Sequence, residues 1–157
     1  MIVIIVGTLA ALCTAVIFGT DVLGAVVMRP TYAEVDDRML VQVTGRSHRY
    51  GNERMPVFGI TSVIAAAATA VISLVLGHAT SGVAAVIGLA SLLIWLVLFN
   101  RISLPINKAL IEASQADRVP ANVRALQARW DSIINVRAVL QGIALIAFCV
   151  AIGFATR

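Results

Sequence analysis

Four apolar runs, separated by polar passages of very unequal length, set the pattern of the chain. Ile2 to Val27 is almost unbroken, about 26 residues, long enough to cross roughly 30 Å of hydrocarbon with some tilt. Val57 to Leu76 is the second run, with Pro56 at its first turn, where the missing N–H costs nothing. The connection GHATSG is tight and carries no fixed charge. Val83 to Phe99 follows at about 17 residues, near the lower limit for a span. The fourth run covers about 133–155. These runs predict an all-α fold, a four-transmembrane-helix bundle in one integral membrane domain over residues 1–157, with spans at about 2–27, 57–76, 83–99 and 133–155. Gly and Ala recur within the runs, and small residues let helix backbones approach in lipid. A cleaved signal peptide is the rival reading of the first run, but no Lys or Arg precedes its apolar core and it exceeds a usual h-region.

The polar passages lie between the first and second runs and between the third and fourth. In the first, Thr31 and Glu34 have the spacing of a capping box, and Tyr32, Val35, Met39, Leu40 and Val43 recur at helical spacing behind it. The spacing predicts a short amphipathic helix on the membrane surface, ended near Gly45. The following RSHRYGNER reads either as a solvated connecting loop or as a segment that brings His48, with Glu53, to a site at the membrane face. In the second passage, Asn100 to Arg137, Pro105 and Pro120 each stand where a helix could begin. One helix is expected over about 106–114, and another from near Pro120 that runs unbroken into the fourth span.

That last helix carries an inward-facing charge. Val123, Leu126, Trp130, Ile133 and Arg137 follow at intervals of three or four, so Arg137 shares the apolar stripe. Asp21 lies inside the first run, eight residues before Arg29 and so roughly 12 Å from that end. A carboxylate there must be paired, protonated or wetted. Arg137 is at the depth to meet it, and the pair serves either to fix helix register or to build a ligand or proton site. Trp130 reads as an interfacial anchor or as the wall of such a site.

Composition adds weight to the membrane reading. The 157 residues are 60% hydrophobic and 13% charged, about half the charge of a soluble domain, with a mean hydropathy of +0.95. The net charge of +4 is not gathered into an arm or stripe, so nucleic acid is not an expected partner. Five arginines lie in the first polar passage, and five more with Lys108 lie in or beside the second; only Arg157 follows the fourth run. By the positive-inside rule both long loops are expected in the cytoplasm and both termini outside, in a multi-pass protein of the cell membrane. The preference for arginine over lysine and the abundance of alanine point to a GC-rich bacterial genome. Cys13 and Cys149 sit in apolar runs as small hydrophobes. His48 and His78 are assigned to opposite faces, so no metal and no cofactor is expected. Neither a phosphate-cradling glycine loop nor a nucleophile elbow occurs.

Several short motifs carry a resemblance. FGTDV (Phe18–Val22), FN followed by LPINKAL (Phe99, Asn100, Leu104–Leu110), RW (Arg129, Trp130) and NVR (Asn135–Arg137) together resemble the anthrone-oxygenase-like integral membrane family, over nearly the whole chain. The resemblance implies four spans and, for fungal members, oxidation of an anthrone to an anthraquinone without an evident cofactor. It singles out Asn100, Pro105, Asn107, Trp130 and Arg137. Where it would place a histidine two residues before the arginine, this chain has Asn135, and an amide is no general base near neutral pH.

Two functions follow as expectations. The scarcity of catalytic groups favours a non-catalytic membrane scaffold or accessory subunit, with a membrane-protein partner or a second copy. The alternative is an oxidoreductase-like enzyme, or binder, of a flat apolar quinone-like or anthrone-like ligand. Asp21, Asn100, Asn107, Trp130, Asn135 and Arg137 would form its polar cluster, with His48 and Glu53 as further candidates.

Overall fold

The computed structural model describes residues 1–155, and every regular element among them is helical. Helix α1 (Ile2–Leu23) passes through a wide π-helical turn (Gly24–Met28) into α2 (Arg29–Glu34). The extended backbone of Val35 and Asp36 then reverses the chain into α3 (Asp37–Arg54). After Met55 come α4 (Pro56–Val75), a turn at residues 76–78, and α5 (Ala79–Leu98). A second π-helical turn (Phe99–Ser103) carries α5 into α6 (Leu104–Gln115), and α7 (Val123–Gly153) closes the fold. Four continuous helices are long and apolar enough to cross a membrane: Ile2–Glu34, Pro56–Val75, Ala79–Gln115 and Val123–Gly153. The chain is a multi-pass membrane protein.

The spans form a ring in which α1 and α5 each pack against both α4 and α7. Lipid tails are as apolar as leucine, so burial alone does not drive helices together in a bilayer; close packing and interhelical hydrogen bonds do. Small residues supply the closeness. Ala10, Ala65, Ala66 and Ala144 surround Ile17, Leu92 and Phe148 in the main core. A Cβ on Gly88 would lie 2.4 Å from the Phe148 ring, so that ring rests on bare α5 backbone. Toward the 76–78 turn, Ala70, Ala84, Ala85 and Ala151 form a second cluster. There Ser81 Oγ donates to Ala151 O at 2.8 Å and lies 3.0 Å from Ser73 Oγ, tying α4, α5 and α7.

At the opposite end α3 packs on α6 as a polar cap over the bundle. Leu40 and Val41 meet Ile106, Leu110, Ala113 and Val123 in a separate core. The approach is close at Gly45, where a Cβ would lie 2.3 Å from Ser114 Cβ and 2.6 Å from Leu110 O. Ion pairs Arg38–Asp117 (2.8 Å) and Arg124–Asp37 (2.6 Å) flank this core; exposed as they are, each contributes at most about 1 kcal/mol.

Several expected boundaries are corrected. Thr31 is no cap: its hydroxyl donates to Val27 O within the helix, and Asp36 caps α3 by accepting from Met39 N at 2.8 Å. Gly45 does not stop α3, because its missing side chain is used for helix contact. The stretch RSHRYGNER is the second half of that helix and not a loop. The helix expected over about 106–114 is α6, with Pro105 in its first turn, but it continues from α5 through the π turn and is not separate from the third span. The π-helical turn just before this proline relieves the clash between a proline ring and the carbonyl four residues back, and the same order, π turn then proline, recurs at Gly24–Met28 and Pro30. The last helix starts at Val123, three residues after Pro120. Arg157, the basic residue expected beyond the fourth span, lies outside the described residues.

Candidate functional site

The bundle and cap do not close on each other completely. Between them lies a cavity of about 610 Å³, walled by α1 with its π turn, α3, the first turn of α4, the end of α5, and α6 and α7. Its deep end holds the buried charges. Arg137 Nη2 donates to Asp21 Oδ1 at 2.6 Å, Gln141 Nε2 donates to Asp21 Oδ2 at 3.0 Å, and Arg137 Nη1 donates to Ser103 Oγ at 2.7 Å. Gln141 is one helical turn beyond Arg137 on α7, which is why both reach the same carboxylate. Trp95 Nε1 approaches that carboxylate without meeting hydrogen-bond geometry.

Aromatic rings hold the guanidinium in place. Its central carbon lies 5.5 Å from the Phe99 ring centre and 5.4 Å from that of Trp130, within the range of cation–π attraction. Phe99 stacks in turn on Trp95 at 6.0 Å. A planar, permanently charged group suits this sandwich better than an ammonium would. Trp130 Nε1 donates to Asn107 Oδ1 at 3.1 Å, and Asn107 Nδ2 donates to Asn52 Oδ1 at 3.1 Å, so one buried amide couples α7, α6 and α3.

His48 enters from α3, its ring centre 5.6 Å from that of Trp130. The residue retains some exposure, but its Nε2 is fully buried and has no partner. Burial, and secondarily the charge of Arg137, push its pKa down to about 4, so the ring is neutral at pH 7 and one of its nitrogens carries a free lone pair.

Unpartnered polar atoms concentrate here. Among the described residues seven buried side-chain N or O atoms lack a hydrogen-bond partner. Five of them, His48 Nε2, Trp95 Nε1, Gln127 Oε1, Arg137 Nε and Gln141 Oε1, belong to residues lining this cavity. Buried polar groups are seldom left unsatisfied, because each costs about 1–3 kcal/mol.

The residues singled out from the sequence divide clearly. Asp21, Asn107, Trp130, Arg137 and His48 line the cavity, as does Asn100, whose amide donates to Leu96 O at 2.8 Å. Asn135 does not belong with them: it is exposed, two residues from Arg137 and therefore on the far side of α7. Glu53 is likewise exposed and outside the lining. Ser103, Gln127, Gln141 and Trp95 are additions that the sequence reading missed. Gln141 was within reach, since the inward stripe needed only one more turn; Ser103 carried no signal. His78 sits in the turn at the other end of the bundle. Among the described residues no three His, Cys, Asp or Glu side chains gather as metal ligands.

Fold and site together define a multi-pass helical membrane protein with a half-enclosed polar and aromatic cavity beneath its cap. In comparisons with protein-family models, curated proteins and solved structures, nothing matches the chain.

Proposed function

We propose that the chain binds a flat, largely apolar ligand bearing a carbonyl or phenolic oxygen, of the quinone or anthrone class, in the cavity beneath the cap. The observation that carries this reading is a cavity whose lining brings the rings of Tyr32, Trp95, Phe99 and Trp130 together with the polar side chains of His48, Asn107, Gln127, Arg137 and Gln141. A guanidinium such as that of Arg137 suits a carbonyl or phenolate oxygen, and the indole and phenyl walls suit a planar ring. The reading is preferred to a purely structural scaffold because a scaffold gives a cavity of about 610 Å³ with this lining no task.

The reading extends to chemistry. His48, neutral at pH 7 and beside Trp130, is the group placed to accept a proton from an acidic C–H or O–H of such a ligand. It comes from a different helix than the position where the anthrone-oxygenase resemblance would put a histidine. We take the chain as a bacterial relative of that family, with the cap on the cytoplasmic side, in keeping with the arginines gathered at that end of the bundle.

Both tryptophans of the chain line the cavity, so intrinsic fluorescence reports on it alone. Titrating the purified protein with an anthrone and its anthraquinone should quench that emission saturably, and Arg137→Lys should weaken binding by at least tenfold while the Asp21 pairing keeps the fold. Absence of saturable quenching by either compound, together with no conversion of the anthrone in air, would sink the proposal.

A further inference from the structure

The cavity has a second character besides its polar end: part of its lining faces outward from the bundle. Thr20 and Leu23 on α1, Ile60 on α4 and Leu96 on α5 all line it, and all four are exposed. Each lies within a helix long and apolar enough to span the membrane, so the surface they share is one that lipid would cover. The Thr20 hydroxyl is satisfied within its own helix, donating to Val16 O at 2.9 Å, and leaves a methyl-bearing face for lipid. Above Leu23 the π turn of the first helix packs on α7. Neighbouring outward residues Val26, Val57 and Val97 are apolar too.

We infer that the cavity opens sideways into the bilayer through the slot beside Leu23 and Ile60, and that its ligand is a membrane-resident aromatic whose apolar tail leaves by that slot. The inference rests on the ligand reading above and narrows it to tailed compounds of the isoprenoid quinone type. The head group would occupy the polar end beside Arg137, Trp130 and His48. The tail would lie along the Leu23 and Ile60 side chains, exchanging one apolar surface for another at no desolvation cost. A tail-free compound would fill the head region only and forgo the contact along the slot.

Tryptophan quenching in proteoliposomes tests this with two probes, menadione and a naphthoquinone of the same ring bearing an isoprenoid tail, compared at equal mole fraction in the lipid. The tailed probe is expected to bind at least tenfold more tightly. Ile60→Phe and Leu23→Phe, which narrow the slot, should lower the affinity of the tailed probe more than that of menadione and so remove most of that advantage. Ile146→Phe, on an exposed face of α7 outside the cavity lining, should change neither. If both probes bind equally and the slot variants act on neither, the sideways opening is overturned while the ligand reading stands. If neither probe binds, nor the anthrone pair, the ligand reading fails and this inference falls with it.

Discussion

Arg137 and Asp21, 116 residues apart in the chain, meet at 2.6 Å in the interior of the bundle with both side chains almost wholly buried. The exchange of polar contacts with Gln141 and Ser103 satisfies both carboxylate oxygens and both terminal guanidinium nitrogens. Removing one partner strands the other in a low-dielectric site, and such losses cost about 3–5 kcal/mol. Asp21→Ala and Arg137→Ala should each be destabilised on that scale in detergent unfolding. The double variant Asp21→Asn with Arg137→Gln should be the more stable, since no net charge remains buried. A double variant weaker than both singles would contradict the pairing as the source of the loss.

The cap depends on a glycine contact. Gly45→Ala would drive a methyl group into Ser114 and the Leu110 carbonyl, so α3 must move from α6 at a cost of about 1–3 kcal/mol. Gly51→Ala, on the same helix with nothing within 4 Å, should instead stabilise by up to about 1 kcal/mol through helix propensity. Thermal unfolding of the two variants side by side checks the opposite signs.

His48 makes the protein acid-sensitive. Its folded pKa of about 4 lies below the unfolded value near 6.5, so the unfolded chain binds more protons between those values. The stability is present in full above pH 6.5 and is lost as pH falls toward 4, by about 3 kcal/mol in all. His48→Gln should flatten that part of the stability curve relative to the natural chain. Parallel curves for the two proteins from pH 7 to 4 would rule out a buried neutral histidine.

Asn107 on α6 and Asn135 on α7 should differ although both are amides near Arg137. Asn107→Ala leaves the Trp130 N–H and the Asn52 carbonyl without their bonds, a loss of about 1–3 kcal/mol. It should also shift the tryptophan emission. Asn135→Ala, exposed, should stay within about 0.5 kcal/mol of the natural chain.

The apolar runs and the phase of the last helix were legible because lipid demands long unbroken hydrophobicity and a buried charge must face a partner. The helix boundaries at the cap were not. A π-helical turn has no residue signature, so Pro105 read as a start where the helix merely widens. Gly45 read as a stop because a missing side chain serves a turn and a tight crossing equally well. His48 lay in a charge-rich stretch that reads as solvated loop; only the packing of α3 on α6, set by residues some 70 positions away, turns its imidazole toward Trp130. Asn135 was a different matter, since two residues on a helix point to opposite faces and the phase that aimed Arg137 inward already aimed Asn135 out.

Two of the helices, of 33 and 37 residues, pass from the bilayer into the cap as single rods, and each lines the cavity on the way. The first of them carries an apolar run of about 26 residues, longer than the hydrocarbon is thick; such a stretch is accommodated by tilt, and a helix that tilts carries its upper end sideways. The wall that this helix contributes to the site is thereby expected to shift with the thickness of the surrounding bilayer. Reconstitution in lipids of increasing chain length should change probe affinity progressively, whereas a site walled only by short, separately anchored elements would ignore the change.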